Sequence, residues 1–135
     1  MTKTLLIVTV LLETPLSLML LASPMSVTML LLGVTLDAPA ALIVGRITGV
    51  ALLGLSAACW LARNDGSSRA GRGVVLAILL YNCGAVAVLA HAGAAVRLVG
   101  VLMWPAVALH VALAIWCGLA ASKPAKTIIR STVQT

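Results

Sequence analysis

The chain has no phenylalanine, a single tyrosine and three tryptophans, and only 9% of its 135 residues are charged. A soluble domain carries about a quarter charged residues. With so few, there is not enough polar surface to cover a water-soluble globule. Acidic residues number three, against nine basic ones. The three cysteines, Cys59, Cys83 and Cys117, form no CxxC or other metal-ligand spacing and all lie in apolar runs. They read as small apolar helix residues. Cys59 and Cys117 are placed near the same end of their helices, where a reducing cytoplasm argues against a disulfide. No catalytic motif is present. Basic residues interleaved with aromatics are also missing, so the net charge of +6 does not point to nucleic acid.

What the chain does have is hydrophobic length. Hydrophobic residues make up 62% of it, and the mean hydropathy is +1.19. Leu, Val and Ala supply the bulk, a bias that fits a GC-rich bacterial genome. Four apolar runs stand out, at residues 4–22, 41–62, 73–92 and 98–121. Each has about the twenty residues that cross roughly 30 Å of hydrocarbon as a helix. Backbone groups in lipid must pair within their own segment, which forces helices. The runs are continuous and lack the ten-residue alternation of a barrel. The sequence therefore predicts an all-α, single-domain, four-helix transmembrane bundle followed by a basic tail over 122–135.

The first run begins with Lys3 and an apolar stretch, which imitates a signal peptide. Leu20 stands where a small residue is wanted for cleavage after Ala22, and Glu13 and Pro15 interrupt the run. It reads as a retained span. After it, Ser23-Pro24 has the form of an N-cap and a helix-opening proline, and Gly33 that of a stop. Joining 25–32 to the first span would make a helix of about 29 residues and roughly 43 Å, too long without strong tilt. A short interfacial helix between spans one and two is expected instead. The segment 63–72 is a polar, glycine-rich turn, and the short connection at 93–97 makes spans three and four a tight hairpin.

Charge asymmetry sets the orientation. Lys3, Arg63, Arg69, Arg72, Lys123, Lys126 and Arg130 fall on one side, and Arg46 and Arg97 on or near the other. Both termini are expected in the cytoplasm of a bacterium, with the bundle in its inner membrane and the basic residues near anionic lipid. Trp60 and Trp116 then lie near the cytoplasmic interface.

Few polar residues lie inside the spans. Glu13 is near the middle of the first. An unpaired carboxylate there costs several kcal/mol, so it pairs or takes a proton. Arg46 is its expected partner, since the two lie roughly 13 and 8 Å from the outer edge by helical rise. Two readings stay open: an ion pair that fixes helix packing, or a proton, cation or ligand site. Tyr81 and Asn82 lie near the middle of span three and His110 near that of span four. Convergence of Glu13, Arg46, Tyr81, Asn82 and His110 would make a buried cluster; the alternative is that each is satisfied by a local carbonyl or hydroxyl. A haem held by His91 and His110 is disfavoured by a depth mismatch of about 15 Å. No cofactor is predicted, though a quinone or lipid headgroup suits the neighbourhood of His110. Pro15 and Pro105 free the carbonyls of Leu11 and Val101 and are expected to bend their helices.

Gly45 and Gly49 form a GxxxG, and Gly54 with Ala58 extends the small-residue spacing. Ala108 with Ala112, and Ala114 with Gly118, repeat it in span four. This spacing serves packing within the bundle or against a membrane-embedded partner or second copy.

The stretches 46–55 and 59–63, Leu79-Leu80-Tyr81-Asn82, and Trp104-Pro105-Ala106-Val107-Ala108-Leu109-His110, with Glu13 in the first span, resemble uncharacterised small bacterial four-span membrane proteins. The resemblance covers nearly the whole chain in the same order. More distantly, the layout is similar to DoxX-like four-helix membrane proteins, some of them associated with quinone-linked redox systems. The resemblance implies the four-span architecture and singles out the same polar residues; it implies no particular activity. Two function classes follow: a non-enzymatic accessory subunit or binder of lipid or another small hydrophobic ligand, and a redox or transport component using the central residues.

Overall fold

The computed structural model describes residues 1–122. The basic tail expected beyond Ser122 lies outside the described residues. The described chain forms five helices and no strand: α1 (Thr2–Ala22), α2 (Pro24–Leu32), α3 (Pro39–Ala62), α4 (Arg69–Ala94) and α5 (Met103–Ala121). Four of them, all but α2, are long and apolar enough to cross a membrane. The chain is a multi-pass membrane protein by this criterion. Their outward faces are correspondingly oily, with Leu11, Val44, Leu61, Leu80 and Val88 all well exposed, a surface suited to lipid or to another membrane-embedded chain.

The helices pair as α1 with α3 and α4 with α5. Both pairs are antiparallel. Along α3, Gly45 abuts Pro24, Gly49 abuts Ser17 to Leu21, and Gly66 in the following loop abuts Thr2. Residue numbers thus fall on one strand of contacts as they rise on the other. At the opposite pair, Gly93 faces Met103 and Trp104.

The turns are explained by their residues. Ser23 accepts the break between α1 and α2 with Pro24 at the first helical position, where its missing N–H costs nothing. Ser23 and Ser26 hydroxyls bond to each other at 2.7 Å. Gly33 ends α2 at φ 72°, a left-handed conformation that glycine adopts without strain. Ser68 caps α4: its Oγ accepts the Gly71 N–H at 2.9 Å. The cap starts α4 at Arg69, four residues before the apolar run begins.

The start of the last span differs from expectation. The helix begins at Met103, and 98–102 is irregular. There the Gly100 and Leu102 N–H groups each donate, at 2.9 Å, to the Leu31 and Leu30 carbonyls. Those carbonyls belong to the last turn of α2 and have no partner within it. The link therefore clasps α2 to the end of the bundle. Pro105 falls in the first turn of α5, where proline is tolerated. Val101 is outside the helix, so the bend expected at Pro105 has no carbonyl to break. Pro15 does lie inside α1.

The interior has two parts. Toward the N-terminal end of the bundle, Leu5, Leu6, Cys59, Val75, Ile78, Leu113 and Cys117 form one apolar cluster. Toward the other end, a smaller cluster of Leu20, Val27 and Leu52 lies beside α2. Cys59, Cys83 and Cys117 are free thiols, the first and last buried in the larger cluster.

Candidate functional site

Between the two apolar clusters lies a polar layer. On α1, Thr9, Glu13 and Ser17 recur every four residues and so share the buried face. Ser56 faces inward from α3, Asn82 from α4 and His110 from α5. Glu13 is only 3% exposed, Asn82 is fully buried and His110 is 7% exposed.

Two long-range hydrogen bonds organise the layer. The Tyr81 hydroxyl donates to Glu13 Oε2 at 3.2 Å, joining α4 to α1. Asn82 Oδ1 meets His110 Nδ1 at 2.8 Å, joining α4 to α5. Asn82 is itself held, because its Nδ2 donates to the Ile78 carbonyl at 2.8 Å. With Nδ2 so committed, Oδ1 can only accept, and the imidazole proton belongs on Nδ1. A neutral His110 then keeps Nε2 as an acceptor. The Tyr81 and His110 rings meet edge to face, centroids 5.6 Å apart at 84°, so the two hydrogen-bonded pairs touch. Ser17 Oγ donates to the Glu13 carbonyl at 2.6 Å. The hydroxyls of Thr9 and Ser56 are buried and find no hydrogen-bond partner among the described residues.

Of the residues singled out from the sequence, Glu13, Tyr81, Asn82 and His110 come together. Arg46 does not. It is exposed and makes no ion pair with Glu13 among the described residues; the expected pairing is corrected to Glu13 with Tyr81. Neither depth nor direction is compatible: Gly45 abuts Pro24 and Gly49 abuts Ser17 and Leu20, which puts Arg46 level with the end of α1 and roughly 13 Å along the bundle from Glu13. The buried face of α3 follows Gly49, Leu52, Ser56 and Cys59, and Arg46 is off the centre of that line by about 100°, rather more than a quarter turn. Packing glycines also divide. A Cβ at Gly49 would stand 2.9 Å from the Ser17 carbonyl oxygen and 3.0 Å from Leu20 Cβ, and one at Gly45 2.8 Å from Pro24 Cβ. Gly54 has open space within 4 Å and serves no contact inside the bundle. His91 is exposed in the last turn of α4, away from buried His110.

A cleft of about 280 Å³ opens beside the polar layer. Leu12, Leu16, Leu31, Leu89, Leu102, Pro105, Ala106 and Leu109 make its walls, and Glu13 and His110 are the polar groups among its lining residues. Its walls come from α1, α2, α4, α5 and the link before α5. Chemically it offers an apolar body space and a carboxyl and an imidazole to orient it, the usual make-up of a small-molecule site.

Thr9, Ser17 and Ser56 were not singled out from the sequence. For Thr9 and Ser17 the signal was present, as three polar residues at four-residue spacing in an apolar run. Ser56 gave none. Compared with known proteins, the chain matches no family model, no curated protein and no solved structure.

Proposed function

We propose that this chain is a non-enzymatic bacterial inner-membrane protein that binds a small hydrophobic ligand or lipid within the bilayer, acting alone, as a homo-oligomer or as an accessory subunit of a membrane-embedded partner. The observation that carries the reading is the cleft of about 280 Å³ with Glu13 and His110 among otherwise apolar walls. Seven of nine Lys and Arg residues fall on the side of the N-terminus, the α3–α4 loop and the tail, which supports cytoplasmic termini and α2 at the outer interface. Arg63, stacked 3.8 Å over the Trp60 ring, sits at the cytoplasmic edge in this orientation, where aromatic and cationic side chains anchor spans. The resemblance to small four-span and DoxX-like proteins agrees with this layout.

A second reading has its own support. Glu13, Tyr81, His110 and Asn82 form two hydrogen-bonded pairs in ring contact, from α1 to α5. Such a layer suits a redox or transport component that handles a proton or a quinone. The two readings predict different Glu13→Gln phenotypes. For a binder, abundance or ligand retention changes and no proton- or quinone-dependent activity is lost. For a redox or transport component, the protein stays folded and that activity disappears. Native mass spectrometry of protein extracted gently from its own membrane tests the first reading. A retained lipid, small molecule or polypeptide supports it; a bare chain under conditions that preserve known lipid adducts on a control membrane protein contradicts it.

A further inference from the structure

Resting on the ligand-binding reading above, we propose that the cleft takes a small apolar organic cation, a tertiary or quaternary ammonium, with Glu13 as its counter-charge.

Glu13 is the acidic residue of the spans. The other two acids, Asp37 and Asp65, lie in loops. A carboxyl in hydrocarbon either keeps its proton or pairs with a cation, and Arg46, exposed and level with the end of α1, supplies no such partner. Among the described residues the hydrogen bond to the carboxyl group comes from the Tyr81 hydroxyl, on Oε2. That bond orients the group and does not balance its charge. Glu13, although only 3% exposed, is among the residues that line the cleft.

The rest of the cleft selects the same charge. No lysine or arginine lines it. A neutral His110, held through Nδ1 by Asn82, has Nε2 as an acceptor. Beside an ionised Glu13, both polar groups are then electron-rich. A fatty acid or phosphate would meet repulsion from an ionised Glu13 and no donor array beside a protonated one, whereas a cation draws the carboxyl into its ionised form and is attracted strongly in so low a dielectric. The walls are leucine, alanine and proline, which coordinate no small inorganic ion but suit alkyl groups on nitrogen. Depth excludes a phospholipid headgroup as the source. Glu13 lies nine residues before the end of α1, roughly 14 Å inward by helical rise. Volume limits the guest: about 280 Å³ is the share of roughly nine waters in the liquid, so a small trialkylammonium fits and a large dye does not.

The test uses the purified full chain in lipid nanodiscs and two photoactivatable probes of one shape. One is a diazirine-bearing trialkylammonium, the other its uncharged alkyl analogue. Labelled peptides are mapped by mass spectrometry. The expected result is that the ammonium probe labels the cleft segments of α1 and α5 and that tetrapropylammonium competes it away. In Glu13→Gln, which keeps an acceptor for Tyr81, ammonium labelling falls at least tenfold while the uncharged probe labels as before. Equal labelling of the cleft by both probes, unaffected by Glu13→Gln, overturns the cation proposal and leaves the ligand-binding reading standing. No cleft labelling by either probe overturns both. Should Glu13→Gln fail to fold, competition on the unaltered protein decides: tetrapropylammonium must displace the ammonium probe at concentrations at least tenfold below neutral 4-heptanol, and equal potency overturns the proposal.

Discussion

The two halves of the bundle solve the same packing problem differently. In the half nearer the N-terminus, four full-length helices meet and seven apolar side chains close the interior. In the other half, α2 is only nine residues long, four buried apolar side chains remain, Leu20, Val27, Leu52 and Met103, and the space between α1, α2 and α5 stays open as the cleft. Backbone hydrogen bonds from 100 and 102 to α2 hold that end together where side chains do not fill it. The difference teaches where stability and function are separated. A filled half holds the helices, and an open half with two polar groups at its edge is left available to a ligand. Substitutions in the first should cost stability, and those in the second should change binding.

The largest effect is expected where the helix pairs touch most closely. Gly49→Leu drives a side chain into Ser17 and Leu20 and should lower unfolding free energy by about 3 kcal/mol, the upper end for overpacking; Gly54→Leu, in open space, should change it by less than about 0.5 kcal/mol. Reversible unfolding in bicelles compares the two. If Gly54→Leu proves as harmful as Gly49→Leu, the α1–α3 contact is misplaced.

Next in size is Ile78→Ala, which opens a hole in the filled half. Lipid already solvates apolar groups in the separated helices, so the loss comes from packing, and about 2 kcal/mol is expected. Leu109→Ala on the cleft wall should cost well under half of that in the same assay. Equal losses would erase the distinction between the halves.

Smaller again is the link between α4 and α5. Asn82→Leu leaves the His110 Nδ1–H without its acceptor and should cost about 1–2 kcal/mol. Adding His110→Leu should recover part of that loss, because both polar partners are then gone. A strictly additive double variant would show that the pair is not coupled. The smallest effect is expected at the two unpartnered hydroxyls. Thr9→Val and Ser56→Ala remove buried polar atoms that make no hydrogen bond among the described residues and should leave stability unchanged within about 0.5 kcal/mol or raise it slightly. A loss above 1 kcal/mol in either would reveal a partner for that hydroxyl.

Much of this architecture could be read from the chain. Four spans follow from hydrophobic length, and the short helix before α3 follows from Ser23-Pro24 and Gly33, because each of these residues acts locally. The candidate site was legible by depth alone. Counting residues placed Glu13, Tyr81, Asn82 and His110 at similar levels, but depth is blind to rotation about the helix axis. For Arg46 the depth count fails too, because it set the outer ends of spans one and two level, whereas α3 runs past the end of α1 with Gly45 beside Pro24; the bond goes instead to Tyr81. The buried line through Gly49, Leu52, Ser56 and Cys59 fixes the rotation of α3, yet in so apolar a span no hydrophobic stripe marks it beforehand. The start of α5 was misjudged for a different reason. Leu98, Val99 and Val101 read as span, but the neighbouring Gly100 and Leu102 N–H groups are drawn to the carbonyls of α2, a non-local partner. The cleft itself was invisible, since it arises from the shortness of α2 among longer neighbours.

The most direct test of the central claim compares retained mass in native spectra of three proteins from the same membrane: the unaltered chain, Ala106→Phe, which fills the cleft from α5, and Gly54→Leu, which alters only an outward face. The account predicts a bound non-covalent mass in the unaltered chain and in Gly54→Leu, and its loss in a folded Ala106→Phe. Retention of the same mass by all three would place the ligand elsewhere and contradict the account.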